Sequence, residues 1–213
     1  MRVAMIGTGY VGSAYARYFI SRGFRVKQYS LDPQFIDNKE LIKHCDITLI
    51  CVPTPTTPTS VDLSAINEVL PLIGKNQVAI MKSTVPPGTV EAYQALFPEI
   101  ILISSPEFLS IETADRDVAS PFLSLLGFPT ILPDAQRTRA EREFRMTMRW
   151  IPGQTFVMSS TEAEIVKYAH NASGFLNILL YNILADVVSR AGGEWEVVRL
   201  ACLHDPYLAS QYS

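Results

Sequence analysis

Three cysteines in 213 residues, Cys45, Cys51 and Cys202, are too few and too far apart for a disulfide framework. None has a second ligand at CxxC or CxxH spacing, so no metal centre is expected. His44-Cys45-Asp46 reads as a helix end meeting a strand start. An excess of one charge is also missing. The formal net charge is −3 and the Lys and Arg residues are scattered, which excludes the basic footprint of a nucleic-acid binder. The most apolar run, Ala172 to Ala185, carries Asn177 and Asn182 and is too short to span a bilayer. It reads as a buried helix, with no membrane partner. The opening MRVAMIGTGY turns to glycine too early for a signal peptide and has no cleavage site. A soluble protein of a reducing, cytoplasmic compartment is expected. Repeats and low-complexity tracts are absent.

What is present is a chain 48% apolar, enough for one full domain and part of another. RVAMIG is a short β-rich run that stops at Gly7. From Val11 apolar residues recur at helical spacing (Val11, Ala14, Tyr15, Tyr18, Phe19), and Gly23 ends the helix. FRVKQYS reads as a second strand and Asn38 to Lys43 as a short helical piece. DITLICV is a third strand, ending in PTPTTPT. Asp62 is placed to cap a helix over Leu63 to Ile73. QVAIM, EIILIS, FLSLLGF and QTFVM are further strands, with helices over Gly88 to Leu96 and Asp134 to Arg149 between them. This alternation predicts an α/β fold, a doubly wound parallel sheet covered on both faces. The pattern changes at Ser160. One helical run continues to about Arg190, roughly 45 Å long at 1.5 Å per residue, until Gly192-Gly193 stops it. A further short helix covers Glu194 to Leu203. The expected division is a dinucleotide-binding domain over residues 1–159 and the start of a helical domain over 160–213.

Gly7-x-Gly9-x-x-Gly12 lies between a strand and an amphipathic helix, the context a dinucleotide-binding turn requires. The glycines let backbone approach a pyrophosphate, and the helix start beyond supplies free N–H groups. An acid at the end of the second strand should hold the ribose hydroxyls. That position falls on Ser30, with Asp32 two residues later, so either Asp32 reaches back or Ser30 makes a weaker contact. NAD is favoured over NADP because no Arg or Lys follows Ser30 closely, and Lys27 lies inside the strand.

Ligands in such sheets bind outside the carboxyl ends of the strands. Three of those ends, CVPTPT, KSTVPPGT and SSPEFL, are polar and stiffened by proline, and they present Thr54, Thr84 and Glu107 to one edge. The loop after the fourth strand, Lys82-Ser83-Thr84 and onward, is therefore expected to wall a ligand pocket.

GTGYVG, CVPTP, KSTVPPGT, SPEFL and AEIVKYAHN, in this order, resemble the UDP-glucose/GDP-mannose dehydrogenases along essentially the whole chain. Those enzymes oxidise C6 of a nucleotide-bound hexose twice, alcohol to acid, with NAD. The resemblance implies a Rossmann domain followed by a helical segment. It implies that Gly7, Gly9, Tyr10, Val11 and Gly12 bind the pyrophosphate. Val52, Pro53 and Thr54, on through Thr56, would border the adenosine. Ser83 and Thr84 would face the nicotinamide, Thr84 ordering a water, and Glu107 would serve acid–base steps. Lys167 and Asn171 would contact a nucleotide-sugar substrate and stabilise oxyanion character at C6. The last pair has independent physical sense: they are four apart on one helix, and a cation with an amide suits a developing alkoxide. Asn171 stands in an apolar stretch, where burial would demand a partner. The family's long helix packs on its symmetry mate, which implies a homodimer.

The chain departs from the family pattern. The nucleophilic cysteine of a GFGGxCxxKD-type segment, which traps the aldehyde as a thiohemiacetal, has no counterpart, and Cys51 and Cys202 do not fit that role. Ile111, Leu123 and Ile183 stand where the family has glutamate, arginine and glutamate. Three readings stay open: a nucleotide-sugar 6-dehydrogenase, a non-catalytic NAD-binding module, and a one-step alcohol dehydrogenase using Lys167 and Thr84.

Overall fold

The structure is a computed structural model that describes residues 1–148, 154–205 and 208. Strand β1 (Arg2–Ile6) leads through a glycine turn into helix α1 (Tyr10–Ser21), and β2 (Arg25–Tyr29) follows. A 3-10 stretch, Ile36–His44, precedes β3 (Ile47–Ile50). Next come α2 (Ser64–Val69), β4 (Val78–Met81), α3 (Thr89–Leu96), β5 (Ile101–Ser104), α4 (Ala114–Ala119) and β6 (Ser124–Phe128). Helix α5 (Asp134–Thr147), β7 (Thr155–Ser159), α6 (Ser160–Arg190) and α7 (Trp195–His204) complete the described elements. Arg149, the expected end of α5, lies outside the described residues.

The strands form one Rossmann-like sheet in the order β2-β1-β3-β4-β5-β6-β7. Its pairings are parallel except for β5 with β6, which meet antiparallel at Ser104 and Gly127. The expected doubly wound parallel sheet is present, with this one antiparallel seam. A continuous apolar run reports that a strand is buried on both faces but carries no sign of its direction. Alternate residues of the central strands feed two cores. Val3, Met5, Ile47, Leu49, Val78, Ile80, Ile101 and Ile103 pack with Tyr15, Phe19 and Phe144 on one face. Ala4, Ile6, Ile50, Ala79, Met81 and Leu102 pack with Ile66, Leu70 and Val90 on the other. Each fully buried Ile, Leu or Phe contributes about 1.5–3 kcal/mol, so these two layers hold the strand ends rigid.

Several local expectations shift by a residue or a turn. Asp62 does not occupy the N-cap of α2: Leu63 does, and the Asp62 carboxylate instead accepts the Ser64 N–H at 2.8 Å. Pro71 ends the α-helical pattern early, and Leu70–Leu72 continues as a 3-10 turn. The start of α6 is well specified. Ser159 Oγ accepts the Glu162 N–H, while the Glu162 carboxylate accepts the Ser159 N–H at 2.7 Å, a reciprocal capping box.

The chain divides into two compact units, Met1–Lys167 and Tyr168–Ser213, so the first turns of α6 belong to the first unit. In the second unit the Tyr181 ring meets Trp195 edge-on at 6.0 Å, and its hydroxyl donates to the Leu208 carbonyl. Gly192 takes φ +73° at the turn into α7. The reading of Ala172 to Ala185 as a buried helix is corrected. Phe175, Leu176 and Ile183 are each more than half exposed in the chain taken by itself. Among the described residues, α6 is also the one helix long and apolar enough to cross a bilayer by length and composition alone.

Candidate functional site

The chain reverses its direction of winding between β1 and β3, and a cleft of about 870 Å³ opens at the carboxyl ends of these strands. Gly7 through Val11 form one wall, Ser30 to Asp32 a second, and Val52, Pro53 and Thr54 a third. Ser83, Thr84 and Glu107 also line it. The cleft therefore gathers the residues expected at the cofactor except Gly12, whose place is structural, and Pro55 and Thr56. Thr56 lies outside it, bridged to Val61.

The glycine turn is built for backbone alone. Gly7 has φ +92°, and a Cβ there would stand 2.3 Å from the Cys51 carbonyl oxygen. A Cβ on Gly12 would stand 1.9 Å from the Gly7 carbonyl oxygen, so α1 could not approach its turn so closely. A Cβ on Gly9 would meet nothing within 4 Å, since Gly9 faces the open cleft. Two positions allow no side chain and the third faces free space at a helix N-terminus. That is the cradle a pyrophosphate needs, and a nicotinamide dinucleotide fits it.

At the end of β2, where an adenosine ribose is expected, the side chains are hydroxyls. Thr8 Oγ1 donates to Ser30 Oγ at 2.8 Å. Asp32 does not reach back: its carboxylate accepts the Gln34 N–H at 2.9 Å in its own turn. The sequence reading missed Lys39 and Glu68, which also line the cleft. Lys39 is brought there because its neighbour Asn38 donates its side-chain amide to the Gln28 carbonyl of β2. No local pattern announces that anchor.

The loop after β4 is tied down from three sides. Thr54 Oγ1 donates to the Thr84 carbonyl at 2.6 Å, and Ser83 Oγ donates to the Val52 carbonyl at 2.7 Å. Ser83 thus lines the cleft while its hydroxyl serves the loop. The third tie comes from α6, which the sequence gave no sign of. The buried Glu164 carboxylate accepts the Gly88 and Val90 N–H groups at 2.6 and 2.9 Å, capping α3. Burial drives the Glu164 carboxyl up to about 7, against the pull of these N–H bonds.

Glu107, on the cleft, belongs to a buried ion pair. Lys167 Nζ lies 3.2 Å from Glu107 Oε1, and both side chains are under one-tenth exposed. The second Glu107 oxygen accepts the Leu109 N–H at 2.6 Å, and the Lys167 ammonium sits 5.3 Å from the Phe108 ring centre. Lys82 lies in the same neighbourhood, fully packed, donating to Ser105 Oγ at 3.0 Å beneath the Tyr15 ring. Burial lowers its ammonium to about 8. Burial also pushes the Cys51 thiol up to about 12, so it stays protonated and is no nucleophile. The Thr84 hydroxyl lines the cleft and makes no hydrogen bond among the described residues. Asn171 departs from expectation: it is exposed rather than buried, and it lies in the second unit.

Residues 34–131 match the NAD-binding domain of the UDP-glucose/GDP-mannose dehydrogenase family. The UDP-N-acetyl-D-mannosamine dehydrogenase of Pyrococcus horikoshii is 26% identical over 96% of this chain and 58% of its own length. A UDP-glucose dehydrogenase from Pyrobaculum islandicum superimposes with a TM-score of 0.82 at 24% identity, covering 99% of this chain and 58% of that one. GDP-mannose dehydrogenase from Pseudomonas aeruginosa does so with a TM-score of 0.80 at 21% identity, over 100% and 59%. At those identities the superpositions establish the fold. The chain spans between half and two-thirds of the length of these relatives. NAD is the cofactor that the matched domain binds. Over residues 34–131, which carry the β3, β4 and β5 walls of the cleft, the chain is similar to the NAD-binding domain of that family.

Proposed function

We propose that this chain carries the cofactor-side half of an NAD-dependent nucleotide-sugar 6-dehydrogenase. The observation that carries the reading is the buried Lys167–Glu107 pair, whose Glu107 lines the cleft together with Thr84. NAD, when bound, supplies the hydride acceptor. The backbone from Gly7 to Gly12 holds the pyrophosphate, and Ser30 the adenosine ribose. Val52, Pro53 and Thr54 flank the adenosine, and Ser83 and Thr84 form the nicotinamide wall. As the primary alcohol of the sugar is oxidised, negative charge develops on its oxygen. The Lys167 ammonium stabilises that charge, and Glu107 accepts the proton, through a water ordered by Thr84 where a carrier is needed. A buried cation with a carboxylate beside it suits this work because low dielectric strengthens both interactions. The donor role of Asn171 rests on resemblance alone.

Oxidation beyond the aldehyde needs a nucleophile, and Cys51, whose thiol is held protonated, does not supply one. The assay is to mix the full chain with NAD and a panel of UDP- and GDP-hexoses and follow the reduced cofactor. Two equivalents per sugar support the full reaction. One equivalent with aldehyde accumulating supports the one-step alcohol dehydrogenase. Measurable NAD binding with no turnover on any sugar refutes the enzymatic reading and leaves a binding module. We further propose that a second copy of the chain covers the exposed apolar residues of α6, giving a soluble, cytoplasmic homodimer. A monomer in sedimentation, or partition into vesicles, refutes this.

A further inference from the structure

Three features converge on the ribose wall of the cleft. Among 2′-OH-reading sites the decisive group is an acid at the end of the second strand, which accepts from the ribose diol and repels a phosphate. Here that position holds Ser30, a neutral hydroxyl. Its oxygen already accepts from Thr8 Oγ1 at 2.8 Å and from the Asp32 N–H at 3.3 Å. The Ser30 proton is therefore left without an acceptor among these contacts, and a ribose hydroxyl or a phosphate oxygen can take it equally. The nearest acid, Asp32, lines the cleft but has one carboxylate oxygen engaged by the Gln34 N–H. Lys39 lines the same cleft, next to the Asn38 anchor on β2, and makes no ion pair among the described residues. Glu68, the other carboxylate on this cleft, belongs to α2 rather than to the β2 end.

We infer that this cleft does not discriminate against a 2′-phosphate: the chain takes NADP as well as NAD, with Ser30 and Lys39 setting the choice. The inference rests on the proposed placement of the dinucleotide and deepens it. The β2 end carries a neutral donor where an acid would forbid a phosphate, and an ammonium with no ion pair among the described residues lines the same cleft.

The test is calorimetric titration of the full chain with NAD and with NADP, in the wild type, Ser30→Asp and Lys39→Ala. The wild type is expected to bind the two within about tenfold of each other, a difference of about 1.4 kcal/mol or less. Ser30→Asp is expected to weaken NADP by at least about tenfold through like-charge contact while NAD holds or tightens. Lys39→Ala should weaken NADP by up to about fivefold, the size of an exposed ion pair, and leave NAD nearly unchanged. Tight NAD binding with NADP more than a hundredfold weaker overturns the inference alone. Equal losses of both nucleotides in Ser30→Asp also overturn it. Failure of both nucleotides to bind the wild type overturns the inference together with the placement of the dinucleotide.

Discussion

Replacing Lys167 by Met removes the cation from a carboxylate that has almost no access to water. Glu107 keeps one hydrogen bond, from the Leu109 N–H at 2.6 Å, and loses its only ion-pair partner among the described residues. Stranding a buried charge in this way costs about 3–5 kcal/mol, a large share of the 5–15 kcal/mol that holds a typical domain together. With a urea slope of about 2 kcal/mol per molar, the unfolding midpoint should fall by about 1.5–2.5 M. The double variant Lys167→Met/Glu107→Gln leaves no charge behind, so it should recover most of the loss. The coupling between the two sites should then be about 2 kcal/mol or more. Urea unfolding followed by far-UV circular dichroism measures all four corners of the cycle. Calorimetry on the same proteins should show NAD binding little changed. A cost under about 1 kcal/mol for the single variant, as exposed pairs give, would refute the reasoning. So would strict additivity of the two changes.

Gly12→Ala places a Cβ 1.9 Å from the Gly7 carbonyl oxygen, a clash with backbone that no side-chain rotation relieves. It should abolish measurable NAD binding and destabilise by about 1–3 kcal/mol, whereas Gly9→Ala, with open space around it, should fold normally; calorimetry and thermal melts check both. Lys82 is held down at about 8, so the unfolded chain binds this proton more tightly than the folded one. Stability should therefore rise with pH between about 8 and 10.5, and Lys82→Met should flatten that rise in denaturant titrations run across the interval. Glu164 has the opposite sign. Its carboxyl is raised to about 7, so the folded state holds the proton more tightly and stability falls as pH climbs from about 4.5 to 7. Glu164→Gln should remove that slope while loosening the loop from Thr84 to Val90, seen as faster amide exchange at Gly88 and Val90.

How much of this was written in the sequence differs from element to element. The first strand, the glycine turn and α1 are legible because their signals are local: a β-rich run, three glycines, then a 3.6-residue period. The ends of α6 are legible for the same reason, fixed by the Ser159–Glu162 capping box and by Gly192. Asp62 misled by one position because its carboxylate can serve either a cap or the turn before it. The direction of β6 was not legible, since strand direction follows from the connection rather than from composition. Glu107 and Lys167 were each named, but their pairing joins residues 60 apart in sequence. Glu164 and Lys39 went unnoticed for a related reason. A glutamate or lysine on a helical pattern looks solvated until the fold places a helix N-terminus or a strand end beside it.

The central claim is that a nicotinamide dinucleotide lies across the carboxyl ends of β1 and β3. A crystal structure of the full chain grown with NAD tests it most directly. The expected result is the pyrophosphate against the backbone of Gly9 to Val11, the adenosine ribose beside Ser30, and the nicotinamide between Thr84 and Glu107. Density elsewhere on the molecule, or an empty glycine turn at saturating NAD, would contradict it.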